Sequence, residues 1–252
     1  GWYEKRKKRL QNKNKVRGIG VAVAMQGSGI PQVDMGSASM KINDDGSFNL
    51  DVGATDLGTG SDTILAQIAA EVLNIDLSEI IVLSSDTDRT PFDVGAYASS
   101  TTYVSGKAVE KCARKIKNQI LKVGSKILEC DPDDLKLDNG KVVNSTNQEE
   151  KTFGEIARHA LYSADQFQIQ ASASNVPQQS PPPFIAQFAE VEVDQKTGQI
   201  EVLEFVSAVD CGQAINPKLA EGQVEGAAVN GISYALTEEY KFSSQGHLKN
   251  KN

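Results

Sequence analysis

The chain has 252 residues, 39% of them hydrophobic, and 26 Lys plus Arg against 33 Asp plus Glu, a formal net charge of -7. That length can bury a sizeable core in one large or two smaller domains, and the acidic balance argues against general nucleic-acid binding. Cys112, Cys130, Cys211, His159 and His247 lack metal-ligand spacing, and no signal peptide or membrane-length apolar run is present, so a cytoplasmic protein without a protein-built zinc centre is expected.

In chain order, residues 4–15 are strongly charged and predict one exposed helix, with the basic run Lys5–Arg9 on its solvated surface. The ends, Gly1-Trp2-Tyr3 and Lys249-Asn250-Lys251-Asn252, read as cut or processed boundaries of something longer. GIGVAVAMQG, from Gly18, predicts a strand. Residues 37–42 and 47–53 flank Asn43-Asp44-Asp45-Gly46, a hairpin signal. Ile64, Ile68, Ala69, Val72 and Leu73 make one apolar helical face over residues 62–74. Residues 80–83 form a short buried strand running into the polar loop Ser84–Asp88.

Residues 102–128 predict a long helix, its inner face carrying Val104, Ala108, Val109, Cys112, Ile116, Ile120 and Ile127; Gly106 and Gly124 weaken it. Residues 135–143 predict a small hairpin through Asp138-Asn139-Gly140, and residues 152–162 a helix capped by Thr152 with Glu155. Residues 163–183 are polar and read as a structured loop, with a linker as the alternative. Residues 184–193 and 200–209 form a further hairpin, and Asn216-Pro217 opens a helix to about Tyr234. Strands paired through hairpins and separated by helices imply an α+β fold of mixed sheets with packed helices. The expected organisation is a charged segment 1–15, a main region 16–246, divisible into 16–165 and 166–246, and a tail 247–252.

Three polar clusters precede helices. In the first, Gly58-Thr59-Gly60-Ser61, glycines admit close approach, and a helix start directs N–H groups toward an anionic or oxygen-rich ligand. The competing reading is a turn with a Ser61 or Asp62 cap. In the second, Gly95–Tyr103, small residues and dense hydroxyls precede the long helix; a cap with tight packing is the alternative. The third runs from Asp210 to Gly226, where the Gln223 amide can donate and accept at once and the glycines equally suit helix packing. Cys211 is expected to be a buried thiol. Asp86 and Asp88 could pair on a metal, but ordinary loop polarity is the preferred reading. No carboxylate stands out as a general base and no metal ligand is assigned.

Together these clusters resemble the second half of the molybdenum-cofactor-binding large subunit of the xanthine dehydrogenase and aldehyde oxidase family. GATDLGTGSDTILAQIAAEVLNI, SSDTDRTPFDVGAYASSTTYVSGKAV, DCGQAINPKLAEGQVEGAAVNGISYALTEE and MQGSGIP carry the resemblance, nearest to bacterial xanthine- or purine-hydroxylase-like members. The resemblance implies a molybdopterin cofactor, its cytosine dinucleotide form being one option. It implies water-derived hydroxylation of a purine-like heteroaromatic or oxidation of an aldehyde, with electrons passing to iron–sulfur centres and FAD on partner domains or subunits.

By the same resemblance the cofactor is bound by Gly58, Thr59, Gly60, Ala98, Ser99, Ser100, Thr101 and Gln223. Thr59 stands where several relatives carry glutamine, a shorter reach. The family's catalytic glutamate belongs to a Gly-x-Gly-Glu motif that does not follow Tyr240, so no catalytic residue is assigned and the isolated piece is expected to be inactive. Implied partners are the missing N-terminal half and extreme C-terminus of the subunit and the iron–sulfur and flavin components; a homodimer of the full complex stays open. Two other readings are kept: a scaffold domain that has lost the cofactor, and an unrelated phosphate-binding enzyme.

Overall fold

The computed structural model describes Glu4 and residues 14–250. The expected charged helix over residues 4–15 therefore lies almost wholly outside the described residues. The elements in order are β1 (Lys15–Met25), β2 (Gly36–Ile42), β3 (Phe48–Val52), α1 (Ser61–Leu73), β4 (Ile80–Ser84) and α2 (Thr101–Leu128). After these come β5 (Leu135–Asp138), β6 (Lys141–Asn144), β7 (Glu150–Thr152), α3 (Phe153–Tyr162), β8 (Gln170–Asn175), β9 (Phe184–Asp194), β10 (Ile200–Asp210) and α4 (Pro217–Leu236). The chain forms two units, residues 27–181 and residues 1–26 with 182–252. The α+β class with sheets built from hairpins is what the strand and helix patterning implied.

The 27–181 unit is organised around a four-stranded sheet in the order β4-β3-β2-β8. Alternation along β3 turns Phe48, Leu50 and Val52 inward, and β2 contributes Ala38, Met40 and Ile42 to the same core. β2 and β3 pair through the expected Asn43–Gly46 turn, while β3 and β4 run parallel, joined by α1 as a crossover. Helix α2, 28 residues long, buries Val104, Ala108, Val109, Cys112, Ile116 and Ile120 against this layer. Fully burying each large aliphatic side chain contributes roughly 1.5–3 kcal/mol. Burial raises the Cys112 thiol to about 11, and its Sγ donates to Ala171 O at 3.2 Å.

Gly106 has a packing reason to sit within α2: an added Cβ would meet Ile68 Cδ1 at 2.8 Å, so the glycine lets α1 and α2 close on each other. Helix α3 starts with the expected capping box between Thr152 and Glu155, and Phe153 packs edge-on against Phe48 with ring centroids 5.9 Å apart. Two strands depart from the sequence-based expectation. β8 lies in the stretch read as a polar loop, because QASASN has neither β-branched nor aromatic residues; it pairs along β2 all the same. β7 is a three-residue addition to the β5–β6 hairpin, too short to leave a period.

The other unit holds a three-stranded antiparallel sheet, β1-β9-β10, and α4. β1 pairs with β9 in continuous register from Lys15↔Asp194 to Met25↔Phe184. β9 and β10 form the expected hairpin, with a register shift between Val202 and Glu204. Lys15 Nζ and Arg17 Nε contact Glu192 at 2.6 and 3.0 Å at one end of the sheet.

Candidate functional site

The parallel β3–β4 pair fixes where two loops emerge. Both strands end at the same edge, Val52 opposite Ser84, and Ser85 N extends the ladder to Val52 O. The loop after β3 leads to the start of α1, and the loop after β4 to the start of α2. Strand carboxyl ends followed by helix amino ends make the usual ligand-facing edge of such a layer. Ser84 Oγ ties the two segments together by donating to Asp62 Oδ2 at 2.9 Å, and Ser105 Oγ ties the second loop to its own helix by donating to Asp93 Oδ2 at 2.6 Å. Gly53 lies so close to Pro91 O and Asp93 that an added Cβ would fall 2.2 Å from the Pro91 oxygen.

The two helix starts differ in their electrostatics. At α1, Gly58 and Gly60 adopt positive φ of 89° and 79°, which folds their N–H groups inward. Those groups do not face out to receive a ligand. Gly58 N, Gly60 N and Asp62 N donate to the Asp56 carboxylate at 2.8, 3.2 and 3.3 Å. Desolvation pushes the Asp56 carboxyl up, but N–H donation from Asp62, Gly58, Gly60 and Thr59 outweighs it and holds the group below its ordinary range. The chain thus supplies its own anion to this helix start. Leu57, Gly58 and Thr59 stand exposed at the loop tip, while Ser61 Oγ and Asp62 Oδ1 are buried beneath it without a hydrogen-bond partner among the described residues.

At α2 no such carboxylate intervenes. Ser100 precedes the helix without a side-chain cap, the first turn carries no acidic residue, and the N–H groups of Thr101, Thr102 and Tyr103 have no acceptor among the described residues. Ala98 and Ser99 both adopt the left-handed conformation, φ 50° and 53°, which costs non-glycine residues energy and persists only when neighbours enforce it. The enforcing contacts are visible. Gly29 N donates to Ala98 O at 2.7 Å, Tyr97 Oη donates to Asp34 Oδ1, and Asp34 Oδ2 accepts from Ile30 N at 2.7 Å. Asp34 is fully buried, so Gly29, Ile30 and the second loop form one knot around it.

The sequence-assigned residues therefore fall as follows. Gly58, Thr59, Gly60, Ala98, Ser99, Ser100 and Thr101 share the C-terminal edge of the β3–β4 pair. Ser99 is exposed, Ala98 and Thr101 half-buried, and Ser100 buried. Gln223 is exposed on α4 in the other unit, where Asn216 Oδ1 accepts from Leu219 N at 3.1 Å and Pro217 opens the helix. Cys211 is exposed, not buried as expected, because no apolar layer covers that unit among the described residues. The Asp86 carboxylate serves its own loop, accepting from Asp88 N at 3.0 Å. No cluster of three or more His, Cys, Asp or Glu that could hold a metal occurs among the described residues.

Sequence reasoning passed over Asp34, Asp56 and Asp93, which fix the loops from behind. The spacing Asp56-x-Gly58-x-Gly60 is the one local signal for such a role. A separate cavity of about 280 Å³ lies at the opposite, N-terminal end of β3 and β4, between Asp45, Asp76, Glu79 and the start of α3. Two of its carboxylates are taken up by Ser47 and Ser78 in their own turns.

Comparison with known proteins identifies the family. The family profile described as molybdopterin cofactor-binding domain matches residues 1–252. The chain is 37% identical over 230 residues to the "Probable hypoxanthine oxidase XdhD" of Escherichia coli K12, covering 91% of this chain and 24% of that protein. It is 34% identical over 259 residues to the xanthine dehydrogenase molybdenum-binding subunit of Escherichia coli O157:H7, covering 99% of this chain and 34% of that one. In structure it is similar to quinoline 2-oxidoreductase from Pseudomonas putida 86, with a TM-score of 0.86 at 26% identity over 95% of this chain and 33% of that one.

The chain belongs to the molybdenum-cofactor-binding domain of the xanthine dehydrogenase, CO dehydrogenase and aldehyde oxidoreductase family. Membership supports a role in binding the molybdenum cofactor, which sets aside the unrelated phosphate-binding enzyme. The chain spans a quarter to a third of the length of the curated relatives it matches, 24% and 34% for the two above. No helix among the described residues is long and apolar enough to cross a membrane.

Proposed function

We propose that the loop edge of β3 and β4 holds the pterin and phosphate portion of a molybdenum cofactor, and that the whole protein hydroxylates a purine-like heteroaromatic, with aldehyde oxidation as the other family chemistry. One observation supports the placement above all: α2 starts bare, beneath a strained Ala98–Ser99 loop held by a buried aspartate. A helix start whose N–H groups lack an acceptor fits a phosphate. Ser99, Thr101 and the backbone after buried Ser100 are the proposed donors there.

The fit differs at the first loop. Its N–H groups already serve Asp56, so Gly58, Thr59 and Gly60 form a neutral wall for the pterin, with Thr59 hydroxyl its exposed polar atom. Gln223 is retained as a pterin contact on its Gly-Gln-x-x-Gly motif alone. When bound, the cofactor supplies a two-electron oxidation with oxygen drawn from water; residues 1–252 bind and orient it and shape the access of substrate. The catalytic base is assigned to polypeptide outside these residues, and electrons leave to iron–sulfur and flavin partners. On this reading residues 1–252 alone turn nothing over.

The test is molybdenum and pterin analysis of the full-length protein purified from its native host with its partners, with purine hydroxylation assayed on the same sample. Stoichiometric molybdenum, pterin and purine turnover are expected. A full-length complex lacking both metal and pterin would return the chain to the scaffold reading.

A further inference from the structure

One segment of the 27–181 unit has no part in the site described so far: the polar run 177–181 that follows β8. It lies alongside residues 27–32, and the two stretches are bonded to each other at both ends. Ser28 N donates to Pro181 O at 3.1 Å, and Gln32 N to Pro177 O at 2.9 Å. Between these anchors Ser180 Oγ donates to Gly29 O at 2.7 Å. Both anchors on this segment are prolines, whose rings fix φ, so the hydroxyl is aimed by a stiff piece of chain. Gly27 leaves the room that the hydroxyl occupies, since an added Cβ would fall 2.2 Å from Ser180 Oγ.

The bond matters because of what Gly29 holds. Its φ is 79°, a conformation that glycine enters without steric cost and leaves as easily. Bonds from outside must therefore fix the two peptide planes that flank it. In the plane joining Gly29 to Ile30, the carbonyl accepts from Ser180 Oγ, and the N–H donates to Asp34 Oδ2 at 2.7 Å. In the plane before it, Gly29 N donates to Ala98 O at 2.7 Å. Ala98 and Ser99 are the left-handed pair that leads into the uncapped start of α2. Gly29 is buried, so water does not readily replace a lost partner. Ser180 thus acts on the Ala98–Ser99 loop through a single glycine.

We propose that Ser180 is a positioning residue for the cofactor. Its hydroxyl locks the Gly29–Ile30 peptide, and that peptide keeps Ala98 and Ser99 in the shape that presents the first-turn N–H groups of α2 to a phosphate. Gly27 belongs to the same device, because only a residue without Cβ leaves space for the hydroxyl. Asp34 grips the other side of the same peptide, but it also holds Tyr97 and is fully buried, so its loss disturbs the fold. Ser180 is half-buried and uncharged, and its removal strands no charge. The inference rests on the cofactor placement proposed above, which sets what the loop is shaped to receive.

The test uses the full-length subunit assembled with its native partners. From loaded Ser180→Ala, molybdenum and pterin are expected to pass into a filtrate about 3- to 10-fold faster than from the wild type. In the cofactor-free subunit, amide exchange in peptides covering residues 28–33 and 97–103 quickens by a similar factor, while peptides of α3 and the thermal midpoint do not move. Gly27→Ala turns the hydroxyl aside and gives the same pair of changes. The double variant adds little to either single one, because all of them remove one bond. Ser180→Thr keeps the hydroxyl and is expected to release within about twofold of the wild-type rate. Wild-type release from Ser180→Ala, Ser180→Thr releasing as fast as Ser180→Ala, exchange quickening evenly across the unit, or additive effects in the double variant each overturn the proposal. A wild-type complex without pterin overturns the cofactor placement instead, and the exchange measurement then decides by itself whether Ser180 shapes the loop.

Discussion

Helices α1 and α2 start side by side at one sheet edge, each after a glycine-containing loop, and they handle the same electrostatic problem in opposite ways. Every helix start leaves N–H groups without intrahelical acceptors. At α1, Asp56 supplies the acceptor from within the loop. At α2, nothing among the described residues does, and the preceding backbone is held in a left-handed shape by Asp34 and Gly29. The difference teaches that a glycine turn before a helix is an anion site only when the chain has not already supplied the anion. One start is finished by folding, and the other keeps its first-turn N–H groups without an acceptor among the described residues.

The strongest way to break this comparison is to make α2 resemble α1. Thr101→Asp places a carboxylate in the first turn of α2, where it favours the helix by about 0.3–1 kcal/mol. The same charge opposes a phosphate by several kcal/mol. In the full-length protein we expect molybdenum retention and turnover to fall at least about 100-fold, while thermal stability holds or rises slightly. A loss of stability with unchanged molybdenum content would end the assignment of this helix start to the cofactor.

The next effect comes from behind the α2 loop. Asp34→Ala removes a fully buried carboxylate and strands Tyr97 Oη and Ile30 N, a change expected to cost about 2–4 kcal/mol in denaturant titration of the full-length subunit. If the Ala98–Ser99 conformation is held through Asp34, cofactor retention falls with it. The milder Tyr97→Phe leaves the Ile30 bond intact and loses less of both. Asp56→Ala at the α1 loop is expected to cost only about 1–2 kcal/mol, since the loop is exposed and water can take over its donors. Its molybdenum content should fall less than that of Thr101→Asp.

Much of the architecture was legible in the sequence because it follows from periods and punctuation. The Asn43–Gly46 turn, the apolar stripe of α2 and the Thr152 capping box lie where local patterning puts them. β8 escaped because small polar residues carry no strand signal and only pairing along β2 makes QASASN extended. The partnership of β1 with β9 escaped for another reason: it joins residues on either side of the whole 27–181 unit, and no local pattern encodes so distant a register. At the site, spacing could mark both helix starts as polar but could not show which was already neutralised. That depends on where the Asp56 carboxylate turns, a property of the folded loop.

The smallest expected effect separates the two starts by pH. Asp56 has a folded pKa below its ordinary value, because N–H donation from Asp62, Gly58, Gly60 and Thr59 outweighs the desolvation that would raise it. A depressed carboxyl contributes stability that is present in full above the unfolded pKa, near 3.8, and is lost as pH falls through the lower folded value. Amide exchange at Gly58, Gly60 and Asp62, corrected for intrinsic rates, should therefore be constant down to about pH 4 and lose protection below it. Asp56→Asn should flatten that response. The first turn of α2 has no carboxylate to titrate and serves as the internal reference: its exchange should not follow the α1 loop through that window. A common acid response at both helix starts, persisting in Asp56→Asn, would mean that the whole layer loosens together and that Asp56 is not what closes α1.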